Sequence, residues 1–120
     1  MKTILVADDS PRGREVVRVA LELAGYRIID ATDGQEALEL AKADPPDLFI
    51  LDIQMPNLDG YGVIEHLRKD ESFAGIPVIA LTASAMRGDQ DRALAAGFAR
   101  YMSKPVNLSA LRQVVAELLT

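Results

Sequence analysis

The chain has 120 residues, of which 49% are apolar, enough for one hydrophobic core and too few for two. With 18 acidic against 13 basic residues its formal net charge is −5, which disfavours nonspecific binding to nucleic acid. It has no cysteine, which excludes disulfides, Cys-ligated zinc and thiol catalysis together.

The first residues, Met1 to Ala7, do not make a signal peptide, because their apolar run is short and ends in Asp8-Asp9. No stretch approaches the roughly 20 apolar residues of a membrane span. The expectation is a soluble, cytoplasmic single domain over residues 1–120, with no membrane and no direct nucleic-acid partner. The run Thr3–Ala7 is apolar throughout its centre, as a strand covered on both faces should be. Ser10 is a candidate N-cap with Pro11 at the first helical position. Val16, Val17, Ala20, Leu21 and Leu23 form one apolar stripe of the helix that follows, Gly13 weakens it somewhat, and Gly25 closes it. Arg27–Ala31 is a more polar strand, suited to a sheet edge. Asp33 and Glu36 read as a capping box ahead of Ala37, Leu38 and Ala41. Asp44-Pro45-Pro46-Asp47 is a short turn into the third strand, Leu48–Leu51. Tyr61, Ile64 and Leu67 mark a third helix, on which His66 reads as a surface histidine. Pro77–Leu81 is a fourth strand, Asp89–Ala96 a fourth helix stopped by Gly97, and Arg100–Met102 a second edge strand. Asn107 caps a fifth helix with Leu108, Leu111, Val114, Val115 and Leu118 along its face. Strict alternation of strand and helix implies an α/β fold with a parallel sheet and helices on both faces.

The informative side chains stand where strands end. Asp8 and Asp9 follow the first, Asp52 the third, Thr82 the fourth, and Lys104 comes just after the fifth. In a parallel sheet these points share the carboxyl edge, where open α/β sheets bind ligands. Two carboxylates about 4 Å apart repel by on the order of 4 kcal/mol at an effective dielectric near 20, so three in one cleft call for a cation beyond the single lysine. Oxygen ligands without His or Cys suit a hard ion, Mg²⁺ before Zn²⁺. A carboxylate beside Mg²⁺, a lysine and a hydroxyl has the parts for phosphoryl transfer with the carboxylate as nucleophile.

The motifs Ile4-Leu5-Val6-Ala7-Asp8-Asp9, the run from Pro46 through Asp52 to Gly60, Pro77-Val78-Ile79-Ala80-Leu81-Thr82-Ala83 and Lys104-Pro105 stand in the order and spacing of a known family. Across nearly its whole length the chain resembles the receiver domain of two-component response regulators, of the chemotaxis-regulator kind. The resemblance implies a flavodoxin-like (βα)5 doubly wound sheet of five parallel strands in the order 2-1-3-4-5. It implies a phosphorylation-dependent signalling switch, not an enzyme beyond catalysing its own phosphorylation and autodephosphorylation. Asp52 looks like the phosphoacceptor, loaded by a histidine kinase or histidine phosphotransfer protein. Asp8, Asp9, Asp52 and the carbonyl of Gln54 look like the Mg²⁺ ligands, Asp9 directly and Asp8 largely through water. Lys104 should contact the phosphoryl group, and Thr82 should hydrogen-bond it. Thr82 and Tyr101 look like the switch pair, passing the signal to a downstream protein through the fourth helix, fifth strand and fifth helix. Ala83 is small where the phosphoryl group needs access, Gln54 and Ser84 flank the site, and the Lys104-Pro105 bond is expected to be cis.

Three other readings compete. A Mg²⁺-dependent phosphatase of the haloacid-dehalogenase kind would use Asp52 as nucleophile, but Asp52-Ile53-Gln54 lacks the second aspartate that serves as general acid. A flavin-binding module would want a phosphate loop after the first strand, where Asp8-Asp9 repels phosphate. A degenerate receiver would lack part of the residue set present here. Both a stand-alone regulator and a receiver excised from a hybrid kinase fit the sequence.

Overall fold

The computed structural model describes residues 1–83 and 88–120; Ser84 therefore lies outside the described residues. Strands β1 (Thr3–Ala7), β2 (Arg27–Ala31), β3 (Leu48–Asp52), β4 (Val78–Thr82) and β5 (Arg100–Ser103) alternate with helices α1 (Pro11–Leu23), α2 (Gly34–Ala43), α3 (Gly60–Lys69), α4 (Asp89–Ala96) and α5 (Leu108–Leu119). The strands pair in parallel in the order β2-β1-β3-β4-β5, the flavodoxin-like order that the family resemblance implies. The two polar runs are the edge strands, where one face of the backbone ladder meets solvent. Among the described residues no helix is long and apolar enough to cross a membrane.

The period-2 alternation of the buried strands divides the core in two. Leu5, Ala7, Phe49, Leu51, Val78 and Ala80 face α2, α3 and α4, while Ile4, Val6, Leu48, Ile50, Ile79 and Leu81 face α1 and α5. Both β3 and β4 run further than their apolar stretches. Asp52 pairs with Leu81, and Thr82 with Ser103, so these two polar residues are the last rungs of the ladder and not the first residues beyond it. Backbone pairing continues past the apolar run because the ladder needs only N–H and C=O groups.

The expected apolar stripe of α1 is narrower than its sequence suggests. Val17, Ala20 and Leu21 are buried, but Val16 and Leu23 are 45% and 83% exposed. At about 100° per residue, Val16 and Leu23 share one line of the helix, rotated away from the core. The cap of α2 also departs from the reciprocal pattern. The Asp33 carboxylate accepts from Glu36 N–H at 2.8 Å, but Glu36 returns to Thr32 N–H, one residue before Asp33. Ser10, Asp59 and Asn107 cap α1, α3 and α5 through side-chain oxygens. Gly13 has a reason in the fold: a Cβ there would lie 3.0 Å from Asp8 Oδ2, so its absence leaves room for that carboxylate.

The half-buried Arg68 ties α3 to the loop before β4 and to the end of α4. The Arg68 guanidinium donates to the carbonyls of Ala74 (2.9 Å), Ile76 (3.2 and 3.3 Å), Gly97 (3.0 Å) and, at 3.4 Å, Phe73. Its partial burial lowers its pKa below the ordinary arginine value.

Candidate functional site

The carboxyl edge of the sheet brings Asp8, Asp9, Asp52, Thr82 and Lys104 into one place, as the sequence predicts. Asp8, Asp52 and Thr82 are buried, and Asp9 is exposed at the rim. Lys104 Nζ donates to Asp8 Oδ2 at 2.9 Å and to Asp52 Oδ2 at 2.8 Å, although 96 and 52 residues separate it from them. The Lys104-Pro105 peptide is cis, as expected. Backbone groups complete the carboxylates' shells: Ser10 N–H donates to Asp8 Oδ1 at 2.9 Å, and Gln54 N–H to Asp52 Oδ1 at 3.0 Å. The Arg14 side chain reaches the Asp8 carbonyl at 2.6 Å and so fixes the turn out of β1.

Burial dominates the electrostatics of Asp52. It pushes the carboxyl above its ordinary range, against the pull of Lys104 and the Gln54 N–H, and the negative charge of Asp8 pushes the same way. For Lys104 burial is again the largest single influence and would lower its pKa, but hydrogen bonds to Asp52 and Asp8 and their charges together raise it. The lysine therefore stays an ammonium, and the burial that disfavours the Asp52 carboxylate is what a further cation would offset.

Oxygen atoms of Asp8, Asp9 and Asp52 lie within 4.8 Å of one another. An all-oxygen set that is partly buried, over-negative with one lysine, and open at the Asp9 side fits Mg²⁺, which takes few carboxylates and keeps several waters. Gln54 borders the cluster through its N–H contact with Asp52. An open cleft beside it is lined by Asp9, Gln54, Met55, Asp59, Tyr61 and Arg92. Ala83 is small and exposed next to Thr82.

Tyr101 is half-buried against the core face that carries Ala80, and a side-chain hydrogen bond joins it to Thr82. Its phenol is raised above the ordinary value by burial first, then by the proximity of Asp89 and Tyr61. His66 stands apart from the site, exposed on α3 with Nδ1 2.8 Å from the Gly62 carbonyl. Two features escaped the sequence reading. Arg92 of α4 lies over the Tyr61 ring at 4.2 Å, and Tyr61 meets Phe98 edge-on; neither spacing announces itself, because the partners come from different elements. Asn57 adopts a positive φ of 67° and hydrogen-bonds Asp33.

A family model for the response regulator receiver domain matches residues 4–116. The polar-differentiation response regulator DivK of Brucella ovis is 39% identical over 107 residues, 89% of this chain and 87% of that protein. Among solved structures, the signal receiver domain of a signal transduction histidine kinase from Syntrophus aciditrophicus superposes with a TM-score of 0.91 at 34% identity, covering 99% of this chain and 90% of that one. The receiver domain of sensor histidine kinase PA1611 from Pseudomonas aeruginosa PAO1, with a magnesium ion coordinated in its active site cleft, gives 0.90 at 32% identity and coverages of 98% and 97%. The phosphatase reading has no counterpart among these relatives. The chain belongs to the response regulator receiver domain family and is a receiver domain of the two-component kind, a signalling switch and not a classical enzyme.

Proposed function

We propose that Asp52 is the phosphoacceptor and that the acidic cluster around it takes Mg²⁺. The observation that supports this best is one ammonium bridging two buried carboxylates at 2.8 and 2.9 Å, with a third carboxylate at the open rim. Asp8, Asp9 and Asp52 would hold the ion together with the Gln54 carbonyl, and bound Mg²⁺ would supply charge neutralisation for the phosphoryl oxygens. The donor is a phosphohistidine on a histidine kinase or histidine phosphotransfer protein. An Asp52 carboxylate oxygen forms a bond to phosphorus as the phosphorus–nitrogen bond breaks, and the electron pair returns to the imidazole. In autodephosphorylation, water attacks the same phosphorus and the carboxylate leaves. Lys104, already 2.8 Å from Asp52, is placed to turn its ammonium onto the transferred group.

The arriving phosphoryl group offers acceptors to the Thr82 hydroxyl. Thr82 then leaves its bond with Tyr101, and the tyrosine ring turns further into the space. The change is read on the surface of α4, β5 and α5 by a downstream protein. The unit is a single cytoplasmic receiver over residues 1–120, a reading that the family match across residues 4–116 supports. Intact mass spectrometry after incubation with acetyl phosphate and Mg²⁺ tests the assignment. The parent should gain one phosphoryl group and Asp52→Asn none; equal labelling of the two would refute it.

A further inference from the structure

The loop after Asp52 contains a strained turn. Leu58 N–H donates to the Pro56 carbonyl at 2.7 Å, closing a three-residue turn around Asn57, whose φ is 67°. This positive-φ form of the γ-turn is the rare one, and strain of this type persists only where the surroundings over-determine it. The surroundings here come from another element. Asn57 Nδ2 donates to Asp33 Oδ2 at 2.7 Å, and Gly34 N–H donates to the Leu58 carbonyl at 3.1 Å. The approach is so close that a Cβ on Gly34 would lie 2.1 Å from that carbonyl oxygen. Asp33 meanwhile uses its other oxygen to cap α2 at Glu36. A single carboxylate thus serves its own helix with one oxygen and the neighbouring loop with the other.

That loop also carries Gln54, whose N–H is spent on Asp52. The loop's other end is fixed where Gly60 N–H meets the Ile53 carbonyl at 2.9 Å. Residues 54–58 are therefore pinned at Asp52, at Ile53 and at the N-terminus of α2, where, among the described residues, Asp33 holds Asn57 and Gly34 holds Leu58 from outside both the loop and the site. We propose that Asp33 and Asn57 are positioning residues that lock the loop into the shape presenting Gln54 to the cation site, so that the N-terminus of α2 sets Mg²⁺ affinity from outside the coordination sphere. The inference rests on the reading of Asp8, Asp9, Asp52 and Gln54 as a Mg²⁺ site.

Three variants separate geometry from charge and from folding. Asp33→Ser keeps the helix cap but loses the oxygen that reaches Asn57. Asp33→Asn is equally neutral, keeps the cap, and can still bond Asn57 once the Asn57 amide turns over to present its oxygen. Asn57→Gly accommodates the positive φ while deleting the bond to Asp33. Mg²⁺ dissociation constants are read by NMR titration of the intact chain, alongside metal-free amide exchange at Leu58 and Gly34. Asp33→Ser and Asn57→Gly should bind Mg²⁺ about tenfold more weakly, the lower end of what outer partners of metal ligands are worth. Amide exchange at Leu58 should quicken in both, and Asp33→Asn should stay within about twofold of the parent. An Asp33→Ser variant as tight as the parent overturns the inference, and so does an Asp33→Asn as weak as Asp33→Ser, which would make charge the cause. A parent that fails to bind Mg²⁺ overturns the metal reading and this inference with it, a result distinct from either of those.

Discussion

Replacing Lys104 with methionine removes the one ammonium between two buried carboxylates and keeps most of the stem that packs beside them. The oxygens it leaves facing each other belong to a cluster that spans at most 4.8 Å. At that separation two unit charges repel by about 3.5 kcal/mol at an effective dielectric near 20. Deleting one partner of a buried ion pair costs ~3–5 kcal/mol by an independent route, so the two estimates meet. In a chain of 120 residues, 1 kcal/mol moves Tm by about 4 °C, which puts the metal-free variant some 12–16 °C below the parent at alkaline pH. The sign of the pH dependence follows from Asp52. Burial already holds its folded-state pKa above the ordinary value, and the variant loses the ammonium that pulls it down. A raised folded pKa gives stability that is fully present below the unfolded pKa and lost as pH rises through the folded one. The deficit should therefore be large at alkaline pH and shrink at acidic pH, as Asp52 takes up a proton. Calorimetric melting of both proteins in chelator at alkaline and at acidic pH checks this. A deficit of equal size at both would mean that only packing was lost and would refute the electrostatic argument.

Thr82→Ala should still accept a phosphoryl group but lose most of the phosphorylation-dependent shift of Tyr101 and its neighbours. NMR with beryllofluoride reads this directly, and a full parent-like response would show that the signal leaves by another route. Arg68→Met strands the carbonyls of Ala74, Ile76 and Gly97 that the guanidinium now serves; a loss of about 3 kcal/mol should appear in urea unfolding, with phosphorylation by acetyl phosphate unchanged in rate.

The site was legible because a parallel sheet converts distant positions into neighbours by rule. Asp8, Asp52, Thr82 and Lys104 each stand at the carboxyl end of a strand, so the order of runs along the chain suffices to gather them. The lock between Asp33 and Asn57 was not legible, since nothing in a capping pattern says which loop lies across the helix end. The exposure of Val16 and Leu23 was missed for a different reason: a list of apolar residues ignores rotation about the helix axis, and the two fall on one line off the core. Arg68 went unremarked in the sequence, where it is one of three basic residues in the last turn of α3. Only the convergence of carbonyls from Ala74 and Gly97 distinguishes it from Lys69, which makes an exposed pair with Glu65.

The division of the core by the sheet also bears on how such a protein can diversify. Thr82 continues the side of β4 that carries Val78 and Ala80, and Tyr101 packs on that same side, so the Thr82–Tyr101 pair shares its hydrophobic medium with α2, α3 and α4. The opposite side, where Val17 and Leu21 of α1 meet Leu111 and Val115 of α5, is screened from that pair by a layer of backbone. One aliphatic residue can therefore replace another beneath α1, at Val17 or Leu21, without touching the medium in which the Thr82–Tyr101 pair sits.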